Sequence, residues 1–90
     1  IQLAEKATMK MQVGGFLESR LACTASAHLA LCSANIVHYD FDSPLMLQED
    51  VVLDGIQYNN KGEITLPTEI GLGASVDEKY LVKLNKIVVQ

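Results

Sequence analysis

The sequence lacks the features that mark several large classes of protein. It contains only 7 Lys and Arg against 11 Asp and Glu, and the basic residues form no cluster. Nucleic acids and anionic membrane surfaces are recognised by concentrated positive charge, so we expect neither of them as a partner. No apolar run is long enough to span a bilayer, and no signal-peptide pattern opens the chain, so we expect no membrane insertion.

The two cysteines, Cys23 and Cys32, do not favour a disulfide. Both fall in one predicted helix, where their spacing corresponds to a rise of about 13 Å, roughly twice the Cα separation that a disulfide allows. Neither belongs to a CxxC or Cys–His pattern of the kind that binds metal. Two free thiols suit a reducing compartment, and we therefore expect a cytoplasmic protein in which both act as small apolar residues.

The first half of the chain alternates between helix and strand patterns. Helix patterns cover residues 1–7 and 19–33, and strand patterns cover residues 9–13 and 36–42. This alternation is typical of βαβ units in a parallel sheet. A parallel sheet needs both faces covered, and two strands are too few for one. We therefore predict the C-terminal part of a larger α/β protein; the rival hypothesis is a compact 90-residue module that pairs with itself.

The second half predicts a hairpin and a final helix. Strand patterns in residues 55–58 and 63–66 flank Asn59-Asn60-Lys61-Gly62, a run of turn-forming residues. A tight turn at Gly71-Leu72-Gly73 follows. Ser75 and Glu78 match a capping box, which predicts a helix from Ser75 onward whose apolar face needs a surface to lie on.

A pair of aspartates, Asp40 and Asp42, is the most distinctive feature of the chain. Successive strand side chains point to opposite faces, so both carboxylates should share one face, with Tyr39 and Phe41 on the other. Two adjacent carboxylates repel each other unless a positive group lies between them. That group could be a metal ion, a basic side chain from elsewhere or the ammonium group of a ligand. The ordinary alternative is a solvated strand end before the turn at Pro44.

Other polar residues have simpler explanations. His28 is predicted to be a packing histidine in the middle of a helix. His38 should lie on the aspartate face but deeper in the strand. Glu49 and Asp50 are predicted to be solvated turn charges.

Four stretches of the chain carry a family likeness: residues 13–21, 25–29, 38–45 and 71–73. The Asp-x-Asp-x-Pro strand end is the most specific of them. In this order they resemble the C-terminal part of the dipeptide epimerases of the enolase superfamily, in the subgroup similar to muconate-lactonizing enzymes. The resemblance covers essentially the whole chain.

The resemblance implies an α/β fold class, namely the C-terminal part of a modified TIM barrel plus a tail that returns to an α+β capping domain. Residues 1–54 would hold the seventh and eighth strands of the barrel. Residues 55–90 would form the hairpin and helix that pack towards the cap. Barrel enzymes place their sites at the C-terminal ends of strands, where residues 14–18 and 40–42 lie.

The resemblance also implies an isomerase reaction, epimerisation at the Cα of the C-terminal residue of a dipeptide such as Ala-Glu. In the family, two lysines move the proton and a Mg²⁺ held by three acidic residues stabilises the enediolate, all on strands that this chain does not contain. We therefore predict no catalytic residue and no metal ligand here, and an inactive segment when alone. The Mg²⁺ cofactor would bind to the rest of the barrel. The expected partners are a dipeptide, the remaining barrel and cap, and further copies in a homo-oligomer.

Five positions would bind substrate if the resemblance holds. Asp40 and Asp42 would hold the free α-ammonium of the dipeptide, which needs compensating charge when it leaves water. Backbone groups of Gly15 and Leu17 would position the peptide unit, and Glu18 would orient neighbouring groups. Relatives often carry Ser at the position of Gly15, so any side-chain bond made there is absent from this chain.

Two other functions stay open. One is a cycloisomerase or a relative of succinylbenzoate synthase, whose substrates have no ammonium group. Asp40 and Asp42 argue against it, because two unpaired carboxylates would repel an acidic substrate. An isolated, non-catalytic fragment or interaction module would instead need a partner to cover its open strand edges and its final helix.

Overall fold

A computed structural model describes residues 1–90. The first half of the chain forms a βαβ unit. Its elements are helix α1 (Gln2–Lys6), strand β1 (Met11–Val13), helix α2 (Arg20–Ala30) and strand β2 (Ile36–Tyr39). β1 and β2 pair in parallel, with Val13 opposite Tyr39. The predicted order of helices and strands in this half is therefore confirmed, although β2 ends at Tyr39 rather than at Asp42.

Helix α2 packs closely because its inward face is made of small side chains. Cys23, Thr24, Ala27 and Ala30 are its buried residues. Cys23, Ala27 and Ala30 contribute to one apolar core with Ile36, Phe41 and Ile56, and Ile56 is fully buried. Such short side chains lose little conformational entropy on burial and let the helix lie close to its neighbours.

The second half forms two small antiparallel sheets and a short helix. Its elements are β3 (Val52–Asp54), β4 (Gln57–Tyr58), β5 (Ile64–Thr65), β6 (Ala74–Val76) and helix α3 (Glu78–Leu81). The predicted hairpin is confirmed by the pairing of β4 with β5. The pairing of β3 with β6 has no counterpart in the sequence prediction.

The prediction of a long final helix beginning at Ser75 is wrong. Ser75 lies on β6 opposite Leu53, and the next backbone N–H after β6, that of Asp77, donates to Val51 at 2.8 Å. This ladder holds the backbone extended, so a helix cannot begin until the ladder ends. Asp77 then caps α3, its side chain accepting from the Lys79 N–H at 2.9 Å. The apolar face predicted for that helix comprises Tyr80, Leu81, Leu84, Ile87 and Val88, and its last three side chains, beyond Leu81, are exposed.

Arg20 ties the two halves together. Its guanidinium donates to the backbone oxygens of Val52, Asp54 and Ile56 and forms an ion pair with Asp50. Asp50 is therefore not the purely solvated turn charge that the sequence suggested. None of the three helices combines the length and the apolar character that crossing a membrane requires.

Candidate functional site

The loops after β1 and β2 meet at one edge of the parallel pair. The two strands run in the same direction, so their C-terminal ends lie side by side. The Asp40 N–H donates to the oxygen of Val13, the last residue of β1, at 3.0 Å, which carries the contact one residue past the end of β2. Residues 14–18 and 40–42 thus follow the strand ends, as predicted, and the structure brings the two segments together.

Asp40 and Asp42 present two exposed carboxylates at this edge. Asp42 begins a 3₁₀ turn (Ser43–Met46), but its side chain caps no N–H of that turn. Neither carboxylate accepts a hydrogen bond, and the single ion pair in the chain is the one between Arg20 and Asp50. The two negative charges are therefore free to meet a positive group from outside the chain.

Phe41, between the two aspartates, is anchored in the interior. Its side chain is 7% exposed and its ring stacks on the Tyr39 ring with centroids 6.0 Å apart. The Tyr58 hydroxyl donates to the Phe41 backbone oxygen at 2.5 Å. A buried residue between two exposed ones holds both aspartates at the surface.

The carboxylates influence the groups buried behind them. Burial raises the pKa of the Cys23 thiol, and the charges of Glu18, Asp40 and Asp42 raise it further against the opposing hydrogen bond from Ser43. Burial also raises the pKa of Tyr58 to about 12, with smaller contributions from Cys23 and Asp42 against the opposing charge of Arg20. The potential at this edge is negative, as a site for a cation requires.

The loop after β1 leaves backbone groups without partners. The N–H and C=O groups of Gly15 and Leu17 take part in no hydrogen bond within the chain, and both residues are exposed. Backbone donors and acceptors normally find a partner in the protein or in water. These groups are available to a ligand that lies beside Asp40 and Asp42.

Glu18 shapes this loop. Its carboxylate accepts from the Phe16 N–H at 3.1 Å, while its own N–H donates to the Ser43 hydroxyl at 3.3 Å. The Ser43 hydroxyl in turn donates to the backbone oxygen of Glu18 at 3.4 Å. Glu18 thus orients its own loop, and Ser43 fastens that loop to the turn after Asp42.

Sequence reasoning missed Ser43, Tyr58 and Arg20 as parts of this framework. Ser43 stands inside the Asp-x-Asp-x-Pro run, which was the only available signal for it. Each of the three acts on residues that are distant in sequence, so no local pattern identifies its partner. The two histidines lie outside the site: the Nε2 of His28 contacts the Leu72 oxygen at 3.3 Å, in agreement with a packing role, and His38 is exposed.

Comparison with known proteins places the chain in a family. The profile of the Enolase C-terminal domain-like family matches residues 1–80. This chain therefore belongs to that family, a class of α/β domain found in enolase-superfamily enzymes.

The similar proteins are dipeptide epimerases, which are isomerases. The chain is 54% identical over 89 residues to the D-Ala-D/L-Ala epimerase of Cytophaga hutchinsonii, which aligns with 99% of the chain. The crystal structure of the dipeptide epimerase from the same organism, complexed with Mg and the dipeptide D-Ala-L-Val, matches 96% of the chain with a TM-score of 0.90 and 55% identity. A substrate-liganded complex of the Bacillus subtilis L-Ala-D/L-Glu epimerase matches 81% of it with a TM-score of 0.76 and 41% identity.

The match covers only part of each relative. The chain spans 24% of the length of the Cytophaga epimerase sequence, and 23% and 20% of the two solved structures. The resemblance to the C-terminal part of the dipeptide epimerases, predicted from the sequence, is confirmed at the level of the family and its named relatives.

The residues of this chain do not make a magnesium site by themselves. Mg is present in the Cytophaga complex. Mg²⁺ prefers an octahedral set of oxygen ligands in which protein carboxylates take part. In this chain no three His, Cys, Asp or Glu side chains come close enough together to hold a metal ion.

Proposed function

We propose that this chain is the substrate-binding C-terminal segment of a Mg²⁺-dependent dipeptide epimerase, with Asp40 and Asp42 as the site for the α-ammonium group. One observation carries the proposal: both carboxylates are exposed without a partner, beside the unbonded backbone groups of Gly15 and Leu17. The similarity to dipeptide epimerases supports the same assignment.

The chemistry of a dipeptide suits this edge. An ammonium group has several N–H donors, and charge-assisted bonds to carboxylates are about twice as strong as neutral ones. Two carboxylates also relieve their mutual repulsion when a cation lies between them. The backbone groups of Gly15 and Leu17 would then accept from and donate to the peptide unit, which fixes the dipeptide along the edge.

The segment would bind and orient the substrate, and the proton-transfer groups and Mg²⁺ ligands would lie elsewhere in the whole protein. When bound, Mg²⁺ stabilises the negative charge that develops as the Cα proton leaves. We place residues 1–54 in the last two strand units of a TIM barrel and residues 55–90 in a tail that packs towards a capping domain. We further propose that the whole protein is a homo-oligomer located in the cytoplasm.

The test is to replace the aspartates in the whole protein, as Asp40→Asn and Asp42→Asn, and to follow exchange of the Cα proton of a dipeptide in D₂O by NMR. Each variant should lower kcat/KM about 10- to 100-fold, since a hydrogen bond to a charged group contributes about 1.5–3 kcal/mol. Asp54→Asn is the matched control, because that side chain is exposed and makes no hydrogen bond. Unchanged kcat/KM in both site variants would end the assignment of the ammonium group to these aspartates.

A second measurement separates the competing functions. An N-acetylated dipeptide has no ammonium group, so the unmodified protein should turn it over far more slowly than the free dipeptide. A protein that acts on acidic substrates without an amine, and on no dipeptide, is instead a cycloisomerase or a succinylbenzoate synthase relative. A protein that is inactive on both classes is a non-catalytic module.

A further inference from the structure

Tyr58 joins the C-terminal hairpin to the end of β2. Its hydroxyl donates to the Phe41 oxygen at 2.5 Å. That oxygen belongs to the peptide group leading into Asp42, so the bond restricts rotation of this peptide plane. Tyr58 also packs against the apolar core that contains the Phe41 ring.

The segment before Tyr58 is itself held firmly. Ile56 is fully buried, and its N–H donates to the Thr24 hydroxyl at 3.0 Å. The Ile56 oxygen accepts from the Arg20 guanidinium at 3.0 Å. Helix α2 therefore fixes the start of β4, and the Tyr58 hydroxyl reaches Phe41 from an anchored backbone.

The two aspartates differ in how their backbone is supported. The Asp40 N–H bonds to the Val13 oxygen at 3.0 Å and so continues the parallel ladder. Asp42 lies beyond that ladder, and its own oxygen accepts from the Leu45 N–H at 2.9 Å. The bond from Tyr58 thus holds the peptide group that leads into Asp42, while the Ser43 hydroxyl holds the turn that follows it.

We infer that Tyr58 is a positioning residue for Asp42, holding the Phe41–Asp42 peptide group so that the Asp42 carboxylate faces the bound ammonium. This inference rests on the function proposed above. Burial raises the pKa of Tyr58 to about 12, so the hydroxyl keeps its proton and remains a donor at neutral pH. Because that proton is engaged with Phe41, Tyr58 acts through the backbone.

The first test is Tyr58→Phe in the whole protein, which removes only the hydroxyl. We expect KM for a dipeptide to rise about three- to tenfold, the span that corresponds to the loss of one hydrogen bond, with kcat unchanged. A role in folding alone would lower the active fraction, and hence kcat, at constant KM. Tyr80→Phe is the control, because it removes a hydroxyl bonded to exposed Glu49 at 2.9 Å and should leave KM unchanged. An unchanged KM in Tyr58→Phe would overturn the inference.

The second test determines which aspartate Tyr58 positions. Tyr58→Phe is combined with Asp42→Asn and, separately, with Asp40→Asn. In the Asp42→Asn background the hydroxyl has no carboxylate to position, so its removal should change KM less than about twofold. In the Asp40→Asn background its removal should raise KM by the full three- to tenfold, about the same as in the unmodified protein. A full effect in both backgrounds would refute the role. If the unmodified protein epimerises dipeptides and Asp42→Asn is impaired, a silent Tyr58→Phe refutes only the positioning role; if it epimerises none, the proposed function fails.

Discussion

The backbone oxygen of Asp40 lies 2.7 Å from the point where a Cβ atom on Gly15 would stand. Carbon and oxygen atoms that are not bonded to each other do not approach so closely without displacement. The two loops of the candidate site therefore meet at a distance that only glycine permits at position 15. The serine expected in relatives would require the Asp40 carbonyl to move, which links the residue at this position to the placement of Asp40.

Gly15→Ala should separate the loops and weaken dipeptide binding. We expect a loss of about 1–3 kcal/mol in the free energy of unfolding, the usual cost of overpacking, together with a higher KM. Gly14→Ala is the matched control: nothing lies within 4 Å of its Cβ position, and its effect should stay within about 0.5 kcal/mol. Urea denaturation of the whole protein gives the free energy of unfolding of both variants. Equal losses at the two positions would contradict this prediction.

Arg20→Met should destabilise the protein far more than Asp50→Asn. The Arg20 side chain is 13% exposed and serves three backbone oxygens, whereas the Asp50 side chain is 50% exposed. A hydrogen bond to a charged group contributes about 1.5–3 kcal/mol net to stability. An exposed ion pair contributes about 0–1 kcal/mol. Thermal unfolding measures the loss of stability in each variant. An equal loss in Arg20→Met and Asp50→Asn would show that the ion pair, and not the bonds to backbone oxygens, supplies the stabilisation.

Cys32 should react with iodoacetamide in the native protein, and Cys23 only after unfolding. Cys32 is exposed, while Cys23 is 1% exposed and burial raises its pKa. The thiolate is the reactive form, so a raised pKa leaves less of it at neutral pH. Peptide mapping by mass spectrometry should find label on Cys32 alone in the absence of denaturant. Rapid native labelling of Cys23 would mean that the interface between α2 and the Ser43 turn opens readily.

Alkaline pH should destabilise the protein through Tyr58. Burial raises its pKa from 10.0 to about 12, so the unfolded chain loses this proton first. The contribution to stability is complete below pH 10 and is lost as pH rises from 10 to about 12. Between these values the free energy of unfolding should fall more steeply in the unmodified protein than in Tyr58→Phe. Curves that stay parallel across this range would contradict the raised pKa.

The sequence alone predicted the βαβ unit, the hairpin and the two loops of the candidate site. Helix and strand periodicity are local signals, and turn residues such as Asn59 and Gly62 act within a few positions of themselves. The aspartate pair was found because two acids close to a strand end need an explanation of their own. Parallel pairing then brings the loop of Gly15 to the same edge, since parallel strands end together.

Tertiary contacts decided the remaining features. β3 is three residues long, too short for a clear period, and its pairing with β6 overrode the capping-box pattern at Ser75. The contacts of Arg20 with the second half and of Tyr58 with Phe41 join residues 17 or more positions apart, so no local propensity reports them. The sequence determined which residues are candidates for the proposed substrate site, because charge and strand position are local. The fold decided how they are held, because hydrogen bonds between distant segments form only when packing has brought those segments together.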